Sequence, residues 1–218
     1  MDWAIGNYSQ YWILADRIVW AEEIQALLYE DVLSCTYMYP LSLYLHNESF
    51  DTTSWDGILW AADYQDMSNW SIPGQTEFHY ATPADFDDFH TFLVESVYDA
   101  QWTQQIYGGL VERAMPSRGY GSYAAVSYSS VNGINYTVQL EPGIVFADGT
   151  PVTSADVQYS YQLLINEDFN QPDYSFYSQY IADYTIDIID ADEFEVDFIQ
   201  PYVFQEGNLG IDILPMHI

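Results

Sequence analysis

The sequence predicts an α+β fold, rich in β-hairpins and with few helices. Two observations carry this. Apolar-alternating runs flank a turn signal twice, at Asn132-Gly133 and at residues 190–193. Apolar residues recur at helical spacing in three stretches, 8–31, 97–112 and 154–165. With 218 residues and 49% hydrophobic content, the chain has apolar surface enough for a real core and length for one large or two small domains.

In chain order, residues 8–31 read as a helix, with Leu14, Ile18, Ala21, Gln25 and Leu28 on one stripe and Glu22, Glu23 and Glu30 off it. Residues 35–45 read as a strand in which Pro40 requires an edge position or a bulge. Asp, Ser, Asn, Pro and Gly in 61–75 mark a linker or long loop. Residues 76–80 read as a short strand and 83–88 as an acidic turn. The helix 97–112 aligns Trp102, Ile106 and Leu110, and Trp102 and Tyr107 are assigned to the core. Strands 123–128 and 134–140 form the first hairpin. Asp148-Gly149 suits a tight turn, because glycine tolerates positive φ. Thr153 then caps the helix 154–165, with Asp156 three residues on, near the exposed first-turn amides. Val157, Tyr161 and Leu164 form its apolar stripe. Strands 181–189 and 194–199 form the second hairpin, and an apolar loop covers 209–218.

Charge narrows the function. There are 33 acidic residues against 3 basic ones, a formal charge of −30, and the cations are Arg17, Arg113 and Arg118, with no lysine. Such a surface repels nucleic acid and anionic membrane, since phosphates are bound by lysine and arginine. It suits cations, high salt or acidic surroundings. Disorder is excluded because 18% of the residues are aromatic and need burial or an interface. The 21 Tyr and 7 Trp are mostly strand-packing residues, of a kind that also suits sugar, peptide or protein contacts. Cys35 stands alone and is read as a buried thiol. No secretory signal or bilayer-spanning apolar run is legible. Four Asn-x-Ser/Thr sequons, at Asn7, Asn47, Asn69 and Asn135, point to a glycosylated extracellular or cell-surface protein.

Catalytic chemistry is not expected. His46, His79, His90 and His217 are scattered without metal-ligand spacing, and no nucleophile elbow or phosphate-cradling glycine loop is present. Acidic residues at 85–88 and 187–193 read as solvated turns rather than metal sites. No metal and no cofactor is expected.

The stretch 145–157, Val-Phe-Ala-Asp-Gly-Thr-Pro-Val-Thr-Ser-Ala-Asp-Val, resembles the F-x-D-G-x-P-x-T-x-x-D-V signature of the family 5 extracellular solute-binding proteins, the peptide- and nickel-capturing components of ABC importers. Three further segments resemble this family in its own order: residues 96–110 its early helix, 132–144 its hairpin, and Leu214-Pro-Met-His217 its "P-x-H" segment. A fifth segment is out of order. Residues 21–31 with 37–42 resemble the family's late helix and following strand, yet here they come first. The large lobe that would lie between is missing. The resemblance thus implies one lobe of a class II periplasmic-binding-protein-like fold, in permuted or tandem-junction order. Its parts are a helix-strand segment, 1–60, a linker, 61–75, and an N-terminal-lobe segment, 76–218.

By the same resemblance Glu95, Ser96 and Tyr98 approach the ligand cleft. The implied function is capture of a peptide or similar solute for a membrane permease. The alternative is an extracellular sheath, filament, tube or surface layer that reuses the fold. Copies of the chain would then be its partners and would exchange residues 1–60. Packing of 1–60 in cis is the simpler arrangement.

Overall fold

The computed structural model describes residues 2–10, 14–31, 71–77, 85–114 and 119–218. The expected strand at 35–45, Cys35, Asn47, Asn69, His46, His79, Arg118 and most of the 61–75 linker lie outside them, as do parts of the expected strand 76–80 and acidic turn 83–88.

The N-terminal helical stretch is described as α1 (Asp2–Gln10) and α2 (Leu14–Asp31). They meet through an edge-to-face pair, Trp3 and Trp20, with ring centroids 5.4 Å apart. The inward face of α2 differs from the expected stripe. Arg17, Trp20, Ala21, Ile24 and Leu27 are half-buried, while Ile18, Gln25 and Leu28 are exposed. Apolar residues lie all round this helix, so periodicity alone does not choose its face; the tryptophan pair does. The chain's own Val203 donates to Ser9 O at 2.9 Å, and Arg17 Nη1 donates to Val203 O at 3.1 Å. These bonds join α1 and α2 to residue 203.

The helix expected over 97–112 ends early. α3 (Val97–Thr103) gives way to a turn, and a two-stranded antiparallel ribbon follows, β1 (Val111–Ala114) with β2 (Gly119–Ser122). Ile106, expected on the apolar stripe, is 60% exposed, whereas Leu110 enters the core at the start of the ribbon. The cause is Gly108-Gly109. A β-carbon on Gly109 would stand 2.5 Å from the Gly210 carbonyl carbon, so the backbone here crosses another backbone rather than continuing a helix.

Both hairpins form within one antiparallel sheet. Its strands are β3 (Ala125–Ser130), β4 (Asn135–Leu140), β5 (Ile186–Ile188) and β6 (Glu193–Asp197), in the spatial order β3-β4-β6-β5. At the first turn Gly133 has φ +71°, and Asn132 Oδ1 accepts from the amides of Ile134 and Asn135, both at 2.9 Å. At the second, Asp190 Oδ1 accepts from the amides of Asp192 at 3.1 Å and Glu193 at 2.8 Å, so this carboxylate closes the turn. Hydrogen bonds from Asp192 and Glu193 hold the Asp190 carboxyl below its usual range. β5 is shorter than expected because residues 182–185 turn instead, with Thr185 N bonding Ala182 O at 2.9 Å.

Alternation puts Tyr136, Val138 and Leu140 of β4 and Phe194 and Val196 of β6 on one buried face. Val157, Tyr161 and Leu164 of α4 (Ser154–Leu164) belong to the same core cluster, together with Leu209, Ile211 and Ile213. Two short helices, α5 (Tyr174–Tyr177) and α6 (Gln205–Leu209), and a single 3-10 turn, Glu167–Phe169, complete the described elements.

The signature stretch and the C-terminal Pro-x-His segment form one unit. Gly149 has φ +89°, and Asp148 Oδ1 accepts the Thr150 amide at 2.8 Å. His217 Nε2 lies 2.8 Å from Asp148 Oδ2. The bonds from His217 and Thr150 hold the Asp148 carboxyl down to about 2. A carboxyl lowered by folding adds stability above its unfolded value and loses it as pH falls through the folded one. Acid denaturation curves of the wild type and Asp148→Asn are therefore expected to differ above about pH 4 and to converge near pH 2. A gap that persists unchanged below pH 2 would contradict the pairing.

Candidate ligand-facing cavity

A cavity of about 600 Å³ opens where α3, the turn after it, the β1–β2 ribbon and residues 207–212 meet. This is the size range of small-molecule sites, roughly 300–1,000 Å³. Ser96 sets the entry to α3 as its N-cap, accepting the Tyr98 amide at 3.2 Å. Buried Asp99 accepts the Asp87 amide at 3.3 Å and ties α3 to the preceding loop. α3 then presents Ala100, Thr103 and Gln104 to the cavity. The opposite side is held by three backbone bonds: Leu110 N to Leu209 O at 3.1 Å, Ile213 N to Gly108 O at 2.9 Å and Ala124 N to Gly109 O at 3.3 Å. The Tyr123 ring packs against Gly108, where a β-carbon would overlap its Cε1 edge.

Among the described residues, two carboxylates, Glu112 and Asp212, border the space, and no arginine or histidine does. The Thr91 hydroxyl donates to Asp212 Oδ2. Burial raises the Asp212 carboxyl, and the Thr91 bond partly offsets this. Burial, then Glu112, then Asp212 raise the Tyr123 hydroxyl. Tyr107, Tyr120 and Tyr123 add polar tips on apolar bodies. Such a set stabilises a positively charged or hydrogen-bond-donating group and disfavours an anion.

Glu95, Ser96 and Tyr98 stand beside this cavity rather than in its lining. Glu95 is exposed, Ser96 is the α3 cap, and Tyr98 is half-buried, while their neighbours Val94 and Ala100 do line it. Tyr107, assigned to the core from sequence, is half-buried in the cavity wall, and Trp102 packs on Phe86 with centroids 5.5 Å apart. Asp212 escaped the sequence reading, although a lone carboxylate inside the apolar run 209–214 was its signal. Of the sequons, Asn7 lies within α1 and donates to Trp3 O at 2.9 Å. Asn135 is exposed, and its amide bonds Asp197 at 2.5 Å and Asn132 at 2.6 Å. Among the described residues no group of three or more His, Cys, Asp or Glu is placed to hold a metal, and no helix is long and apolar enough to cross a membrane.

Solved structures share this fold. The murein tripeptide-binding protein MppA of Escherichia coli superposes with a TM-score of 0.54 at 16% identity, covering 60% of this chain and 29% of its own. A periplasmic oligopeptide-binding protein of Borrelia burgdorferi gives 0.52 at 18%, covering 60% and 29%. The ABC transporter substrate-binding protein CtaP of Listeria monocytogenes gives 0.53 at 18%, covering 62% and 28%. The chain thus spans less than a third of the length of these structures. No curated protein matches it. Residues 107–217 match the model described as "Bacterial extracellular solute-binding proteins, family 5 Middle", so the hairpin, the signature turn with its helix and the Pro-x-His segment all fall inside the match. That match covers just over half of the 218 residues, and on it the chain belongs to the family 5 extracellular solute-binding proteins.

Proposed function

We propose that this chain forms one wall of the ligand cleft of an extracellular or cell-surface solute-binding protein that serves an ABC importer. The cavity beside Glu112 and Asp212 receives the ammonium group of a peptide or similar amine-bearing solute. The observation that carries this reading is a roughly ligand-sized cavity bordered, among the described residues, by two carboxylates. The peptide- and murein-binding proteins that share the fold are in keeping with it. Binding, not catalysis, is the role.

Calorimetric titration of the chain with a mixed oligopeptide pool, and with the same pool after N-acetylation, tests it. Binding to the free-amine pool is expected, and acetylation removes it. Asp212→Asn is expected to weaken binding at least tenfold, about 1.4 kcal/mol, with Asp187→Asn, on the exposed face of β5, without effect. Equal binding of both pools would overturn the reading, as would ordered polymers with no ligand response in light scattering.

A further inference from the structure

The cavity wall holds Asp212 by one oxygen and leaves the other open. Asp212 stands between Ile211 and Ile213, which are 5% and 6% exposed. Its Oδ2 accepts the Thr91 hydroxyl. Its Oδ1 accepts no hydrogen bond among the described residues and is not enclosed, so it keeps accessible surface on a residue that borders the cavity.

Thr91 is itself braced. Its turn is closed by Leu93 N to His90 O at 2.9 Å, and the Asp88 carboxylate accepts the His90 amide at 2.7 Å. The His90 ring packs on Phe92 and on Phe169 of the 3-10 turn, with centroids 5.9 and 5.2 Å away. The hydroxyl is thus aimed at Asp212 from a fixed loop.

The titratable groups around Asp212 come from several elements. Glu112 of β1 and Tyr123 after β2 share the cavity wall with it, and Tyr177 of α5 stands close enough to feel its charge. Tyr107 and Tyr120 complete the phenols of the wall, and His90 precedes Thr91 in the chain. The phenols stay neutral at neutral and acid pH. Burial disfavours the charged carboxylate and pushes Asp212 up, while the Thr91 hydroxyl pulls it down. A seated ammonium pulls it down further, because an opposite charge favours the ionised form. Binding therefore expels a proton wherever the empty site still holds one.

Resting on the reading of this cavity as an amine site, we propose that capture there is proton-linked: Asp212 Oδ1 takes the ligand's ammonium only when the carboxyl is ionised, and Thr91 is the positioning residue that keeps it ionised and turned to the cavity. Acid then releases the ligand. Affinity is level above the Asp212 value of the empty site and falls below it, by up to about tenfold per pH unit, as protons compete.

Calorimetry of the full chain with the free-amine oligopeptide pool, from about pH 7 down to about pH 4, tests this; α-amino groups stay protonated over that range. Two buffers of unlike ionisation heat count the protons released. The wild type should weaken toward acid with a midpoint above the ordinary carboxylate value of about 4, and should release protons as it binds there. Thr91→Val should move the midpoint to higher pH, and Thr91→Ser should restore it. Asp212→Asn should leave its residual binding independent of pH. Glu112→Gln, which removes the other carboxylate of the wall, should keep the pH dependence. Circular dichroism at each pH checks that the chain is folded. Should Asp212→Asn not fold, the proton count of the wild type and the Thr91 pair decide. Level affinity down to pH 4 without proton release would overturn the linkage and leave the amine site standing. So would an unmoved midpoint in Thr91→Val, or loss of the pH dependence in Glu112→Gln. A pool that fails to bind at pH 7 would remove the amine site and this proposal with it.

Discussion

Replacing Asp156 by alanine is expected to destabilise the fold by about 3–4 kcal/mol, a drop of roughly 10 °C in Tm for a chain of this size. Asp156 is 5% exposed and joins two distant segments. One carboxylate oxygen accepts both the backbone N–H and the hydroxyl of Thr153, at 2.9 and 2.7 Å. The other accepts the Met216 amide at 3.0 Å. Losing the helix-start interaction costs about 1 kcal/mol, and each hydrogen bond to a charged acceptor contributes about 1.5–3 kcal/mol. Asp156→Asn keeps one acceptor oxygen but turns a donor toward donors, so about half the loss is expected. Urea denaturation provides the measurement: the midpoint should fall with m unchanged. An Asp156→Ala midpoint within error of the wild type would remove Asp156 from this role.

The same residue explains why the signature is so readable. The Asp148-Gly149 turn, the Thr153–Asp156 pair and the α4 stripe are local devices with fixed spacings, and sequence encodes such devices directly. Their partners are not local. Asp148 meets His217, Asp156 meets Met216, and the Ser160 hydroxyl accepts the Leu214 amide at 2.8 Å. The signature and the Pro-x-His segment are thus two halves of one hydrogen-bonded clasp, which neither half reveals alone. Both hairpins were legible for the same local reason, through Asn132-Gly133 and Asp190.

What stayed hidden was decided by tertiary contact. The inward face of α2 follows from a tryptophan pair rather than from its own periodicity. The end of α3 follows from a backbone crossing. The cavity draws on four separate segments, so its lining cannot be read from one motif, and family resemblance pointed to Glu95, Ser96 and Tyr98, which stand at its flank. The two carboxylates also show what the acidic composition alone could not. Most of the 33 acidic residues need no role beyond solvation, and Asp212 differs by being held in an apolar run against Thr91.

Gly109→Ala should be the other severe substitution, although it adds only a methyl group. The new β-carbon would stand 2.5, 2.6 and 2.8 Å from the carbonyl carbon, oxygen and Cα of Gly210. These are backbone atoms, so no side-chain rotation relieves the clash. The bonds from Leu110 to Leu209 and from Ile213 to Gly108 hold the two segments together on either side. Overpacking costs about 1–3 kcal/mol, and a rigid neighbour places this case at the upper end, a fall of roughly 6–12 °C in Tm. Because Gly109 and Gly210 both line the cavity, amine-ligand affinity should fall with stability. Gly6→Ala is the matched control. Gly6 lies inside α1 with nothing within 4 Å of the added carbon, so the same chemical change should stabilise by about 0.5–1 kcal/mol. Opposite signs at the two glycines would locate the cost in the crossing itself, and a Gly109→Ala chain that melts with the wild type would show that the two backbones do not meet there.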